Sequence, residues 1–154
     1  MANLQLAEGN AAEVAAALGA LFERRSPRAL DVTQLLLTAR STASAALLAR
    51  DTAVLGSWRE ADPDLRADGT MFAAALDQIS GVDHLLRGEP EAAVRLLAAA
   101  AERFTALGWH HLAAELAWQR ARSGDGSGMD EAVEFYESRG ADWRVRWLKE
   151  ERWR

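Results

Sequence analysis

Apolar side chains recur at intervals of three and four residues along most of the chain. Because this spacing places them on one face of a helix, it predicts a series of amphipathic α-helices. The pattern is clearest between Leu85 and Leu107, where Gly88 ends one helix and Pro90 opens the next. The segment is therefore predicted to lie in a helical hairpin, whose second helix has an apolar face made of Ala93, Leu97, Ala100, Phe104 and Leu107.

The same spacing predicts eight helical segments, over residues 11–25, 28–49, 52–61, 71–87, 90–107, 109–122, 130–139 and 141–153. Residues 62–70 combine Pro63 and Gly69 with three aspartates, and residues 123–128 hold three glycines. Both segments are therefore predicted to be flexible loops. Much of the 49% hydrophobic content is alanine, the best helix former, and no alternating β-branched run predicts a strand. The predicted fold class is all-α.

A weak repeat underlies this series of helices. Residues 6–10 resemble residues 85–89, and their glycines, Gly9 and Gly88, lie 79 positions apart, which corresponds to two periods of about 40 residues. A further copy begins at Ser127, 39 positions after Gly88. We therefore expect the 154 residues to form a single domain, a solenoid of antiparallel helical hairpins with degenerate repeats. Because the chain starts halfway through a repeat, we also expect it to be a fragment of a longer protein.

The composition excludes several classes of function. A net charge of −5 disfavours sequence-independent binding to nucleic acid, and the absence of cysteine excludes disulfides, thiolate zinc sites and cysteine catalysis. No segment approaches 18 apolar residues, so no membrane span is predicted. The first residues have no basic region followed by an apolar run, so no secretory signal is predicted. We expect a cytoplasmic protein.

The central hairpin has glycines at its helix junctions and small residues where its helices are expected to cross. These positions are Gly81, Gly88, Ala93, Leu97 and Ala100. In this pattern the chain resembles a tetratricopeptide repeat, a helical hairpin of about 34 residues, most clearly over residues 71–107. The resemblance implies that the first helices of successive hairpins line a concave surface that holds a partner.

The phrases LLRGEPEAAVRLLAAAAERFTALG and ESRGADWRVRWL resemble the degenerate helical repeats of large actinobacterial signalling proteins. These include LuxR-type ATP-dependent transcription regulators and class III adenylate cyclases, in which such repeats form an arm that senses or docks partners. The resemblance implies a protein-interaction module of a bacterial signalling or transcription-regulatory protein. Its partner would be a protein, a peptide or a neighbouring domain of the same parent chain.

Candidate partner contacts follow from this orientation of the hairpins. Trp118 lies away from the apolar face of its helix, beside Ala114 and Ala121, and is predicted either to bind a partner or to pack on the next helix. The predicted contacts are Gln78, Val82, Leu85, Trp118, Gln119 and Arg122. The alternative is a small-molecule sensor with a pocket around Trp118 and His111. A deep closed pocket favours a sensor, whereas an open groove favours a scaffold.

No residue pattern predicts catalysis, a metal or another cofactor, so we do not expect an enzyme. His111 and Glu115 lie four residues apart and could share a metal, but an exposed pair without metal is favoured. The aspartates of residues 62–70 lack the glycine and glutamate of a calcium loop. The glycines of residues 123–128 are followed by acids rather than by the lysine of a phosphate loop.

Two further surfaces are predicted at the ends of the chain. The apolar stripe of helix 11–25 has only a short segment before it, so its apolar side chains are expected to be uncovered. We therefore expect self-association at this end, as a homodimer, through Leu4, Leu6, Val14 and Phe22.

The other end is locally basic, which fits either the polar face of a capping helix or contact with an acidic partner. Its basic residues are Arg144, Arg146, Lys149, Arg152 and Arg154. Trp109, Trp143 and Trp147 are predicted to fill gaps between helices.

Overall fold

The computed structural model describes residues 11–24, 31–56, 58–60 and 70–151, and these ranges contain helices and no strand. The all-α class is therefore confirmed for this part of the chain. Its helices are α1 (Ala11–Arg24), α2 (Val32–Ala49), a 3-10 turn (Ala53–Leu55), α3 (Thr70–Leu86), α4 (Pro90–Ala106), α5 (His110–Arg122), α6 (Gly126–Glu137) and α7 (Asp142–Glu151). Apart from Thr70, which opens α3, the predicted loop 62–70 lies outside the described residues.

Two helices begin at aspartates that cap their first amide groups. The Asp31 carboxylate accepts a hydrogen bond from the Gln34 amide at 2.9 Å, and the Asp125 carboxylate accepts one from the Ser127 amide at 3.2 Å. Because of the second cap, α6 begins at Gly126, four residues before the predicted start at Asp130. The predicted linker 123–128 is therefore wrong over its second half, and the turn between α5 and α6 is limited to residues 123–125.

Helices that follow one another in sequence pack together, and α3 and α4 do so most extensively among those described. The predicted hairpin 71–87/90–107 is confirmed, with Ala93, Leu97, Ala100 and Phe104 all buried on its inner face. Leu107 is an exception: it follows the last residue of α4, and 38% of its surface is exposed. The order of packing fits a helical bundle or a helical repeat.

Glycines allow two of these helix pairs to approach closely. A Cβ atom added at Gly81 of α3 would lie 2.7 Å from Leu97 Cγ of α4. A Cβ atom added at Gly128 of α6 would lie 2.3 Å from the Ala117 carbonyl oxygen of α5. The three glycines of residues 123–128 therefore include one that the packing of α5 against α6 requires.

The apolar core is continuous through the described residues, from Val14 in α1 to Leu148 in α7. Its largest fully buried side chains include Trp58, Phe104 and Trp118. Because Val14 is buried, its predicted role in self-association is wrong: the side chain packs inside the chain and is not available to a second copy. Leu4, Leu6 and the Phe22 side chain lie outside the described residues, so self-association through them stays a prediction.

Candidate functional site

Four of the six predicted partner contacts lie in the interior. Gln78 and Val82 of α3 are buried, and Trp118 and Gln119 of α5 have no exposed surface. An interior side chain cannot contact a partner in this conformation, so these four contacts are corrected. For Trp118, the alternative prediction of burial against another helix is the one observed.

The physical reason is that α5 is enclosed on all sides. It packs on α4 and α6, its neighbours in sequence, and also contacts α2, α3 and α7 through side chains. Every residue from Leu112 to Gln119 is consequently buried, including the polar ones. The sequence pattern predicted a helix with one buried face, because it indicates apolar positions and not the number of neighbouring helices.

At the centre of this enclosure lies a group that we call the Glu115 cluster, formed by Arg40, Ser44, Glu115 and Arg144. Arg144 Nη2 donates to Glu115 Oε2 at 2.5 Å, and Arg40 Nη2 lies 3.4 Å from the same oxygen. Ser44 Oγ donates a long hydrogen bond of 3.4 Å to Oε1. One carboxylate therefore joins α2, α5 and α7, which are far apart in sequence.

Opposing effects determine the protonation of Glu115. Its burial alone raises the pKa of the carboxyl group, but the Arg144 and Arg40 guanidinium groups outweigh this effect and hold the pKa below its ordinary value. The pKa of Tyr136 is raised by its burial and by the nearby Glu115 charge. The cluster is therefore ionised at neutral pH, as a carboxylate with two guanidinium partners.

His111 and Glu115 do not form the exposed pair that the sequence favoured, because the Glu115 carboxylate is buried and has three protein partners. His111 lies toward the surface, 6.4 Å from the Trp109 ring centroid, and its pKa is lowered by partial burial and by the Arg40 charge. The described residues contain no group of three or more metal-ligating side chains. The cluster has the composition of an internal electrostatic contact rather than of a metal site.

Aromatic rings surround the Arg144 side chain. Its guanidinium lies 4.1 Å from the Trp147 ring centroid, and the Trp147 ring lies 5.1 Å from that of Trp118. Trp109 and Trp147 are partly buried, as gap-filling predicts. The same prediction is wrong for Trp143, which is 60% exposed. Trp143 lies on the outer side of α7, one residue before Arg144.

Beside the cluster, several buried polar atoms have incomplete hydrogen bonding. Gln78 Nε2 donates to Gln119 Oε1 at 3.1 Å, which joins α3 to α5. Among the described residues, the buried Trp118 Nε1, Gln119 Nε2 and Thr42 Oγ1 atoms find no hydrogen-bond partner. A buried donor or acceptor without a partner costs about 1–3 kcal/mol. The interior beside the Glu115 cluster therefore holds more polar groups than an interface between helices that serves only for packing.

The remaining two predicted contacts, Leu85 and Arg122, lie together at the surface. They line an open cleft of about 280 Å³, which we call the Arg50 cleft and which is formed by Leu47, Arg50, Leu85, Leu86 and Arg122. These residues come from the carboxyl-terminal ends of α2, α3 and α5. The cleft therefore has three leucines on its walls and two guanidinium groups.

Arg50 has an unusual backbone conformation. It follows the last residue of α2 with φ 54° and ψ 41°, and it is the one non-glycine residue with positive φ among those described. Helices very commonly end at a glycine in this left-handed conformation, because a side chain is disfavoured there. The sequence pattern did not single out Arg50, since an arginine after a helix end is an ordinary surface residue.

A second open cleft, of about 380 Å³, lies on the other side of α5. Small side chains of α4 form most of its wall, and Arg120 is already paired with Glu131. Its lining residues are Ala98, Ala101, Glu102, Thr105, Ala106, Arg120 and Glu131. Neither cleft is lined by Trp118 or His111, so the predicted sensor pocket around those residues is not observed in either.

The three described basic residues at the end of the chain do not form one surface. Arg144 is buried against Glu115, Lys149 Nζ lies 3.0 Å from Glu137 Oε1, and Arg146 is exposed. Arg152 and Arg154 lie outside the described residues. The outward side of α7 is polar, whereas its inward side carries the arginine of the Glu115 cluster.

Comparison with models of known protein families, with curated protein sequences and with solved structures finds no significant match in any of the three. None of the described helices combines the length and the apolar character needed to cross a bilayer. The functional argument therefore depends on the chain's own geometry.

Proposed function

We propose that the chain is a protein-interaction module that binds a short segment of a partner in the Arg50 cleft. The observation that supports this most is the conformation of Arg50. A left-handed conformation costs an L-residue roughly 1–2 kcal/mol, and strained residues of this kind cluster at binding sites. Arg50 is exposed and presents its side chain to the cleft. Its partner-binding role would explain an arginine where glycine is more stable.

The chemistry of the cleft defines the partner segment. Leu85 and Leu86 are half-buried and can pack against an aliphatic side chain, and the exposed Arg50 guanidinium can pair with a carboxylate. The adjacent Asp51 carboxylate accepts the Ala53 amide at 2.8 Å and so stabilises its own turn. We therefore propose a segment with an aliphatic residue next to an aspartate or glutamate.

Helix dipoles limit the electrostatic part of this binding. The carboxyl-terminal ends of α2, α3 and α5 meet at the cleft, and each carries a partial negative charge. These charges offset part of the two guanidinium charges. We therefore expect Leu85 and Leu86 to supply most of the binding free energy and Arg50 to orient the segment.

The open shape of the cleft favours a peptide over a small molecule. Small-molecule sites typically enclose most of the ligand's surface, whereas this cleft is open to solvent. A scaffold is therefore the better supported of the two functions that the sequence suggested. We further propose a solenoid of tetratricopeptide-like hairpins in a cytoplasmic bacterial signalling or transcription-regulatory protein, on the resemblance described above.

The experiment is selection of peptides from a random phage-displayed library on the immobilised chain. We expect enriched sequences to combine an aliphatic residue with a neighbouring acid. A synthetic peptide of the enriched sequence should bind Arg50→Ala and Leu85→Ala at least about tenfold more weakly than the unchanged chain, a loss of about 1.4 kcal/mol. The control is Arg95→Ala, an exposed arginine of α4 outside the cleft, which should bind normally.

Absence of enrichment, or binding that is insensitive to both cleft variants, would refute the proposal. Arg50→Gly separates function from folding. It should raise the free energy of unfolding by roughly 0.5–1 kcal/mol, because glycine tolerates this conformation, and still weaken peptide binding as Arg50→Ala does. A loss of stability in Arg50→Gly would show that the arginine is retained for folding instead.

A further inference from the structure

Two side chains on the inward side of α7 contact two side chains of α5 that have the same spacing along their helix. Arg144 and Trp147 of α7 lie three positions apart, and so do Glu115 and Trp118 of α5. Arg144 Nη2 donates to Glu115 Oε2 at 2.5 Å, and the Trp147 ring lies 5.1 Å from the Trp118 ring. Anchors at this spacing are typical of a helix that binds in a groove through one face.

Trp118, which contacts α7, and the next residue of α5, Gln119, carry polar groups that the contact with α7 does not use. Within the part of the chain that the structure describes, the buried Trp118 Nε1 and Gln119 Nε2 donors have no hydrogen-bond partner, and Gln119 Oε1 accepts from Gln78 of α3. Both free donors could bind oxygen atoms of another segment. These groups are therefore explained if the face receives a different segment for part of the time.

Two features would make release of α7 tolerable. Its packing on α6 is the least extensive between consecutive α-helices among those described. After release, the Glu115 carboxylate would keep Arg40 and Ser44 as partners from α2. The buried charge would therefore not be left without a cation, which is the main penalty when one partner of a buried ion pair is removed.

We propose that α7 covers a second partner-binding face of the molecule, and that a basic helical segment of another protein displaces it by presenting an arginine followed three residues later by a tryptophan. The proposal rests on the proposed function, in that the chain is an interaction module, but it does not depend on the Arg50 cleft. Arginine and tryptophan are the side chains that most often dominate binding interfaces, and the buried Glu115 carboxylate selects a cation.

The test uses a fluorescently labelled synthetic peptide with the sequence of residues 141–151 and the full chain. In the double variant Arg144→Ala with Trp147→Ala, the resident helix loses its two anchors and competes less. The peptide should therefore bind this variant about tenfold or more tightly than the unchanged chain, since occupation of the face lowers apparent affinity in proportion to the free fraction. A peptide carrying Arg144→Ala should bind neither the double variant nor the unchanged chain. The matched control is Arg146→Ala in the chain, at an exposed residue of α7, which should bind the peptide as the unchanged chain does.

Hydrogen exchange of the unchanged chain provides a second measurement that does not depend on the variant folding. With excess peptide, the amides of α7 should exchange faster while those of α5 stay protected. The proposal would be overturned if the peptide changes neither exchange nor binding, or if α7 exchanges only together with α5. Exchange of α7 between two copies, seen as a dimer by sedimentation that the peptide does not dissociate, would also overturn it. Peptides selected on the Arg50 cleft report separately on the proposed function, so either proposal can fail alone.

Discussion

Glu115 links three helices through one carboxylate, and its removal should have a large effect on stability. Glu115→Gln leaves the Arg144 and Arg40 guanidinium groups inside the molecule without a counter-charge. Breaking a buried ion pair in this way costs about 3–5 kcal/mol. We predict that urea unfolding at neutral pH will show a loss of this order.

The sign of the pH dependence follows from the lowered pKa of Glu115. In the unfolded chain this carboxyl group has its ordinary pKa, so it takes up a proton first as the pH falls. The stabilisation is therefore complete above the ordinary pKa of glutamate, decreases below it, and is lost once the pH is below the pKa in the folded state. The difference in unfolding free energy between the unchanged chain and Glu115→Gln should shrink from pH 5 toward lower pH. A constant or growing difference would contradict the ionised cluster.

Gly128 should tolerate no side chain, because a Cβ atom there would lie 2.3 Å from a backbone oxygen of α5. The clash is with the backbone, so no side-chain rotation relieves it. We predict that Gly128→Ala lowers the free energy of unfolding by about 1–3 kcal/mol, as overpacking does. The control is Gly126→Ala in the same helix, where a Cβ atom meets nothing within 4 Å. A stability that is equal in the two variants would mean that α6 does not cross α5 here.

At the scale of the helices, the observed start of α6 differs from the start that the sequence pattern predicts. Asp125 is the residue whose carboxylate accepts the Ser127 amide, so Asp125→Ala should lower stability by about 1 kcal/mol. The pattern had instead predicted a helix starting at Asp130, which is exposed and lies inside α6. Asp130→Ala should therefore change stability by less than about 0.5 kcal/mol. Thermal unfolding of the two variants would show the reverse order if the helix began at Asp130.

Helix boundaries could be predicted from the sequence where residues at the boundary itself determine them. Gly88 and Pro90 mark the turn between α3 and α4, and small residues such as Ala93 mark their crossing, so this hairpin could be predicted. The start of α6 could not, because glycine-rich segments serve equally as linkers and as sites of close helix packing. Gly128 is a site of close helix packing, and this is evident only from the position of the Ala117 carbonyl oxygen in the structure.

Across the whole molecule, the candidate site could be predicted only in part. Leu85 and Arg122 were predicted and do line the Arg50 cleft, but Arg50 was not, because its signal is a backbone angle. For Trp118 the sequence pattern left partner binding and packing on the next helix as alternatives, because it predicts only one buried face for each helix. The enclosure of α5 by five other helices depends on contacts between residues up to 75 positions apart, such as Arg40 with Glu115. Periodicity within a helix carries no information about such contacts.

Closure of the interior around Glu115 and Trp118 is tested most directly by hydroxyl-radical footprinting of the free chain, read out by mass spectrometry at the individual tryptophans. Trp118 has no exposed surface, whereas Trp143 is 60% exposed on the outer side of α7. We predict rapid oxidation of Trp143 and strong protection of Trp118 under native conditions, with both oxidised alike after unfolding in urea. Oxidation of Trp118 at a rate close to that of Trp143 in the folded chain would contradict a closed interior, and would restore the open concave surface that the sequence predicted.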